Sequence, residues 1–253
     1  MRAPARRAAL LAPGRGRGGA LRFPYYHHVF EDERARFARQ LRWMRRQGEY
    51  LGWDDAVALV QSGQPIDGRY FCISFDDGFR NCVTHALPIL VEHGATAAFF
   101  LATSFIDTDP VRDRDRLLGF YPGESRLMEF LDWDECRQLR DSVMVVGSHT
   151  DRHARLAELD SDGVASELSR SKHLIEAELG VECRHFCAPW GEPLGDFDPE
   201  LDPAIARRCG YVSFATTARG PTRAGDSPFF IRRDHTLAND PDYVLRAFLL
   251  ERQ

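Results

Sequence analysis

Along this chain, short apolar runs alternate with longer stretches in which apolar residues recur every three or four positions, the signatures of buried strands and amphipathic helices. "LRFPYYHHVF" predicts a short strand, and "EDERARFARQLRWMRRQG" a helix with Phe37, Leu41 and Met44 on one face and Gly48 at its end. "RYFCISF" is a continuous apolar run of strand length. The following "NCVTHALPILVEHG" predicts a helix that places Val83, Leu87, Leu90 and Val91 on one face and is kinked at Pro88. The pattern continues with "ATAAFFLAT" as a strand, "DWDECRQLRDS" as a helix, "VMVVGS" as a strand and "SDGVASELSRSKHLIEAELG" as a long helix. That helix turns Val164, Leu168, Ile175 and Leu179 inward and closes at Gly180. "RHFCAP", "YVSFATT" and "PFFIRRD" predict further strands, and "DPAIARRCG" and "DPDYVLRAFLL" further helices.

Apolar strands separated by amphipathic helices imply an α/β fold of parallel strands with right-handed crossovers, as a barrel or as a doubly wound sheet. At 253 residues, with no internal repeat and no boundary signal after the leader, the chain fits a single domain over residues 21–253. Residues 1–20 contain arginine but no acid and are rich in Gly and Pro, which predicts a disordered leader. Its "AALLA" is too short for a secretory apolar core. No run is long enough to cross a bilayer, so the expected compartment is the cytoplasm. "IDTDPVRDRDRLLGFYPGES" lacks a period and predicts a loop over one mouth of the fold, either a substrate lid or a plain surface excursion.

The net charge of -5 argues against a general nucleic-acid binder, because an anionic polymer would be repelled. Six cysteines, Cys72, Cys82, Cys136, Cys183, Cys187 and Cys209, lie in apolar or helical segments without a C-x-x-C pair, and are read as reduced and buried.

Polar residues gather where the predicted strands stop: Asp76 and Asp77, His149 and His153, Pro189 and Trp190, Asp234 and His235. In parallel α/β folds these ends share one face, so residues distant in sequence can converge there. Two adjacent carboxylates repel each other and resist burial unless a cation holds them. The segment "GSHTDRHARL" brings two imidazoles to one side if the chain turns helically after its strand. Asp77, His149 and His153 would then form a set of protein ligands suited to a catalytic zinc or similar divalent ion, with Asp76 beside it as a base. His27, His28, His85, His93, His173 and His185 have no evident partner and are read as surface or packing histidines.

The order "SFDDG", "SHTDRH", "APWG" resembles the polysaccharide deacetylases, also called the NodB-homology or carbohydrate esterase 4 family. The resemblance runs from about Phe23 to the end and includes "YYHHV", "ALPILVEHGATAAFFLAT" and "FLDWDECRQL". It implies a distorted (β/α) barrel of about seven strands and a metal-dependent hydrolase that removes N-acetyl groups from amino sugars. Carried over by position, it implies Asp76 as catalytic base and Asp77, His149 and His153 as ligands of one divalent ion. Zinc is the first expectation, ahead of cobalt, nickel, iron or manganese. The Trp190 backbone amide would help hold the oxyanion. Two positions depart from the family pattern. Cys187 stands where an arginine often orients the base, with Arg232 or Arg233 as candidate substitutes, and His235 is the only nearby candidate for the general acid.

The expected substrate is an N-acetylhexosamine unit of a polysaccharide, an oligosaccharide or a glycan precursor, with Trp190 and Phe79 either as a flat wall for the sugar ring or as simple core. No nucleic acid partner and no integral membrane segment are expected. Two other readings stay open: hydrolysis of another amide or O-acyl group on the same site, and a catalytically silent carbohydrate-binding relative.

Overall fold

In a computed structural model, residues 19–121 and 126–250 are described. The first strand run divides in two, β1 (Ala20–Arg22) and β2 (Pro24–Tyr26), and is followed by α1 (Arg34–Gln47), β3 (Glu49–Tyr50) and α2 (Trp53–Ser62). "RYFCISF" divides likewise into β4 (Arg69–Phe71) and β5 (Ile73–Phe75). Then come α3 (Leu87–Glu92), β6 (Ala97–Leu101), α4 (Arg114–Leu118), α5 (Trp133–Asp141), β7 (Val145–Ser148) and α6 (Ser161–Leu179). The chain continues through β8 (His185–Cys187), α7 (Leu201–Arg208), β9 (Ser213–Ala215), β10 (Asp234–His235) and α8 (Asp242–Leu249).

Seven parallel strands in the order β10-β2-β5-β6-β7-β8-β9 curl into a half-barrel, and β1-β4-β3 form a small second sheet. The two sheets are continuous across one bent strand pair. Arg22 pairs with Phe71 and Tyr25 with Ser74 in unbroken register, and the Cys72 amide donates to the Arg22 carbonyl at 2.8 Å. A bend of this kind leaves no trace in an apolar run, which explains why each run reads as one strand. The expected strand "PFFIRRD" is mostly irregular, with an isolated bridge from Ile231 to Ala215 before β10 begins at Asp234. Residues 231–235 therefore leave β9 and join β2, spanning the gap between the last and first strands of the sheet.

Both faces of the strands are filled. In β6, Ala97, Phe99 and Leu101 join the large outer core under the helices, while Ala98 and Phe100 join the inner core. Strands buried on both faces are the rule for parallel sheets, and here the side-chain period of two sends alternate residues to separate cores. Gly147 is required where β7 passes the ring of Phe100, since a Cβ would lie 2.7 Å from it. Trp53 fills the inner core, with ring centroids 5.0 Å from both Phe23 and Phe100. It arrives on α2, an element absent from the sequence reading although Trp53, Ala56, Val57 and Val60 recur at helical spacing and are buried.

Three helix details differ from expectation. Val91 is 57% exposed, because the short α3 turns its last residues to solvent. Pro88 falls in the first turn of α3, where a missing N–H is tolerated, and the chain before it winds as a π-helix over Cys82–Ala86. The lid candidate contains α4, while its 122–125 stretch lies outside the described residues, as do residues 1–18 of the predicted leader. Ala20 of that leader is already in β1. All six cysteines are free, and all except the half-buried Cys209 are buried. No helix among the described residues is long and apolar enough to cross a membrane.

Candidate metal centre

Most of the residues singled out at strand ends meet at one mouth of the half-barrel, held there by unusual backbone, whereas Asp234 opens β10 and pairs with buried Arg22 at 3.2 Å. Asp77 has φ 74° and sits inside a three-residue turn closed by the Gly78 amide on the Asp76 carbonyl at 2.9 Å. Trp190 has φ 55° inside a matching turn, closed by Gly191 on Pro189 at 2.6 Å. Turns of this positive-φ γ kind are rare and strained. Thr150 and His153 also have positive φ, so four of the seven such non-glycine residues among those described surround this mouth. Each costs about 1–2 kcal/mol, and strain of this kind concentrates at functional sites. The imidazoles of His149 and His153 thus reach one side through two left-handed residues, not through the helical turn that their spacing suggests. Buried Glu167 on α6 fixes the loop by accepting from the Arg152 amide at 2.8 Å and from its Nε at 2.6 Å.

Asp77, His149 and His153 are all buried, and one donor atom of each lies within 4.8 Å of the others. Asp77 Oδ1 is 3.4 Å from His149 Nε2 and 3.3 Å from His153 Nε2. It is buried and has no hydrogen-bond partner among the described residues. A buried acceptor without a donor is costly, and a cation between these three atoms removes the cost. The His149 ring is oriented to ligate such a cation, because its Nδ1–H donates to the Cys187 carbonyl at 2.8 Å and so turns Nε2 toward Asp77.

The electrostatics agree. Burial opposes ionisation of Asp77, but His149, His153 and, farther off, His27 outweigh it and hold the carboxyl well below the usual range. Burial also works against charge on His149, yet Cys187 and the carboxylates of Asp77 and Asp76 raise its pKa well above the ordinary imidazole value. The local field therefore favours a cation at Nε2. Burial lowers the pKa of His153 despite Asp77, leaving a neutral ring suited to ligation. These three residues fit a divalent ion. Asp76, His149 and Cys187 form a second possible grouping, but Asp76 is already bound to a guanidinium, which repels another cation.

That guanidinium is Arg233, one of the two substitutes considered for the missing motif arginine. It is fully buried and grips Asp76 in two places, Nη1 to Oδ1 at 2.7 Å and Nη2 to Oδ2 at 2.8 Å. Nη1 also donates to Ser74 Oγ at 3.2 Å and Nε to the Thr216 carbonyl at 2.9 Å, and the guanidinium lies 4.2 Å from the Tyr25 ring centre. Burial alone would push the Asp76 pKa up, and Arg233 reverses this and keeps the carboxyl below its usual value. Cys187 occupies the position of the family's usual arginine, with Sγ 3.7 Å from Asp76 Oδ2. Arg232 points to solvent.

Around this pair of carboxylates, the Trp190 amide makes no hydrogen bond among the described residues, as a donor reserved for an oxyanion would. The Trp190 ring packs 4.4 Å from His153 and lies under the Arg155 guanidinium at 4.7 Å. Phe79, expected beside it as a sugar wall, is fully buried against Phe120, Tyr121 and Phe130 and belongs to the core. His235 lies on β10 at the rim, its ring 5.3 Å from His27 and 5.0 Å from Tyr25. Burial and the nearby charges of His27 and Arg219 lower its pKa to about 4. His27, read from sequence as a surface or packing histidine, follows β2 and is near enough to act on the charge of Asp76, Asp77 and His153. Its signal was its place after a strand, which singled out the other site residues too. His185, by contrast, is buried away from this mouth and has partners the sequence did not reveal, Ser213 Oγ at 2.8 Å and Asp54 Oδ1 at 3.0 Å.

Comparison with solved structures finds the same fold. IcaB from Ammonifex degensii superposes with a TM-score of 0.74 at 22% identity, covering 91% of this chain and 96% of that one. The Streptococcus pyogenes deacetylase PplD, solved in complex with acetate, gives 0.73 at 18%, covering 93% and 100%. The BpsB deacetylase domain from Bordetella bronchiseptica gives 0.67 at 21%, covering 89% and 98%. No curated protein matches the sequence. The sequence profile described as polysaccharide deacetylase matches residues 63–213, more than half of the chain and a span that contains Asp76, Asp77, His149, His153 and Trp190. With the motifs, the half-barrel and the converging strand ends in agreement, the chain belongs to the polysaccharide deacetylase family.

Proposed function

We propose that this protein is a metal-dependent hydrolase that removes N-acetyl groups from N-acetylhexosamine units of a glycan. The observation that carries the reading is the buried, donorless Asp77 Oδ1 facing two imidazole nitrogens beside a separately ionised Asp76. The ligands would be Asp77, His149 and His153. A divalent ion held there, zinc foremost, supplies positive charge that polarises an acyl oxygen and lowers the pKa of water toward about 7.

The protein's own groups supply the remaining roles. Asp76, kept ionised by Arg233, accepts the proton of the attacking water. The free Trp190 amide donates to the oxygen that becomes negative in the tetrahedral state, a contribution worth about 2.7–4 kcal/mol in comparable sites. A departing amine needs a proton, and the rim histidines are placed to give one. At a pKa of about 4, His235 carries no extra proton at neutral pH, so we assign the donor role to His27 with His235 packed against it.

The test is acetate release from N-acetylglucosamine oligomers by metal-reconstituted wild type, Asp76→Asn, His27→Ala and His235→Ala. Asp76→Asn is expected to lose about 10²–10⁴-fold in kcat, and His27→Ala to lose more than His235→Ala. Equal turnover by wild type and Asp76→Asn would remove the base assignment, and larger damage from His235→Ala would return the acid role to His235. A protein that binds the oligomers but releases no acetate with any added metal is a silent relative.

A further inference from the structure

Two of the three proposed ligands touch a segment that the sequence reads as a loop over one mouth of the fold. Phe120 stacks on His153, with centroids 4.3 Å apart and planes at 24°, so that the imidazole lies between Phe120 and Trp190. The neighbouring Tyr121 donates its hydroxyl to Asp77 Oδ2. The segment is anchored upstream, where Arg116 Nη2 donates to the Ser104 carbonyl at 2.7 Å and to its Oγ at 2.8 Å. Phe120 and Tyr121 are themselves locked by Phe79, whose centroid lies 5.6 Å from one ring and 6.0 Å from the other. The two Asp77 oxygens thus have separate surroundings: Oδ1 faces the imidazoles, while Oδ2 is engaged by a phenol.

We propose that Tyr121 is a positioning residue of the metal centre, one that fixes the Asp77 carboxylate so that Oδ1 alone is presented to the ion. The inference rests on the metal reading above and deepens it. A carboxylate without that bond is free to rotate about its last torsion, which disperses the ligand set and lets a second oxygen take a position needed by water or substrate. Groups that orient metal ligands through hydrogen bonds typically contribute about 10- to 100-fold to affinity or activity. The phenol does this from residues 120–121, next to the mouth that a substrate must enter, so the wall of the site also sets the aim of its ligand.

The experiment compares wild type with Tyr121→Phe, which keeps the ring and its packing. Cobalt(II) affinity is measured by chelator competition, the visible spectrum of the cobalt-loaded protein is recorded, and the melting temperature of the metal-free protein serves as a folding control. Tyr121→Phe is expected to bind cobalt about 10- to 100-fold more weakly and to show altered band intensities, with metal-free melting unchanged. An affinity within about threefold of wild type with an identical spectrum overturns the role of Tyr121 while leaving the metal centre intact. A wild type that takes up no cobalt overturns the metal centre itself.

Discussion

Replacing Arg233 by methionine keeps most of the aliphatic stem but removes the guanidinium that binds both oxygens of Asp76. Asp76 is 2% exposed, so water solvates its charge poorly. Removing one partner of a buried ion pair costs about 3–5 kcal/mol, and the carboxyl escapes that cost by holding its proton. At about 1.36 kcal/mol per pH unit, the acid limb of kcat/KM should move upward by about two to four units. The stability profile should change sign. In wild type the depressed Asp76 pKa contributes stability that is present above the unfolded value of about 3.9 and lost as pH falls through the lower folded value. In Arg233→Met the buried carboxyl is raised instead, so stability is lost as pH climbs above about 3.9. Urea titrations at several values between pH 4 and 8, paired with kcat/KM profiles, measure both effects. A stability gap that stays constant with pH, together with an unmoved acid limb, would refute the assignment of Arg233 as the cation that holds the base.

Two further outcomes are expected. Because Cys187 Sγ is 3.7 Å from Asp76 Oδ2, Cys187→Arg in an Arg233→Ala background should return the acid limb part of the way toward wild type, less about 1–3 kcal/mol of stability for overpacking. No movement of the limb would show that position 187 cannot reach the base in this fold. Chelation should abolish turnover reversibly and lower Tm by about 8–16 °C relative to protein with metal at a thousandfold excess over Kd, a shift that Asp77→Asn should no longer show. Identical melting with and without metal in wild type would count against the site.

What the sequence made legible was chemistry at strand ends. Asp76, Asp77, His149, His153 and Trp190 follow the strands that carry them, and a strand end in a parallel array defines a face of the molecule. His27 obeys the same logic, but it sits in a pair of histidines beside aromatic residues, where packing is the simpler reading. Arg233 was legible only as one of two neighbours, since a run of two arginines does not reveal which turns inward. Two aromatics escaped a firm reading: Phe79 next to the motif is core, and Tyr121 in the aperiodic loop reaches Asp77. Loops of that kind carry no period from which a contact can be read. The bend between β4 and β5 was equally silent, because both sides of it are apolar.

The segment that spans the gap between β9 and β2 has a consequence for how this protein comes into being. Arg233 lies twenty residues past the end of the matched stretch at 213. A nascent polypeptide that has emerged as far as β9 already carries both aspartates and both ligand histidines, yet its buried base has no counter-ion. Only when residues 231–235 dock against Ala215 and Pro24 does Asp76 gain the arginine that lets it stay charged. The charge on Asp76 is therefore tied to the docking of a segment outside every motif, and a chain cut between β9 and Ile231 should leave that carboxyl without its counter-ion.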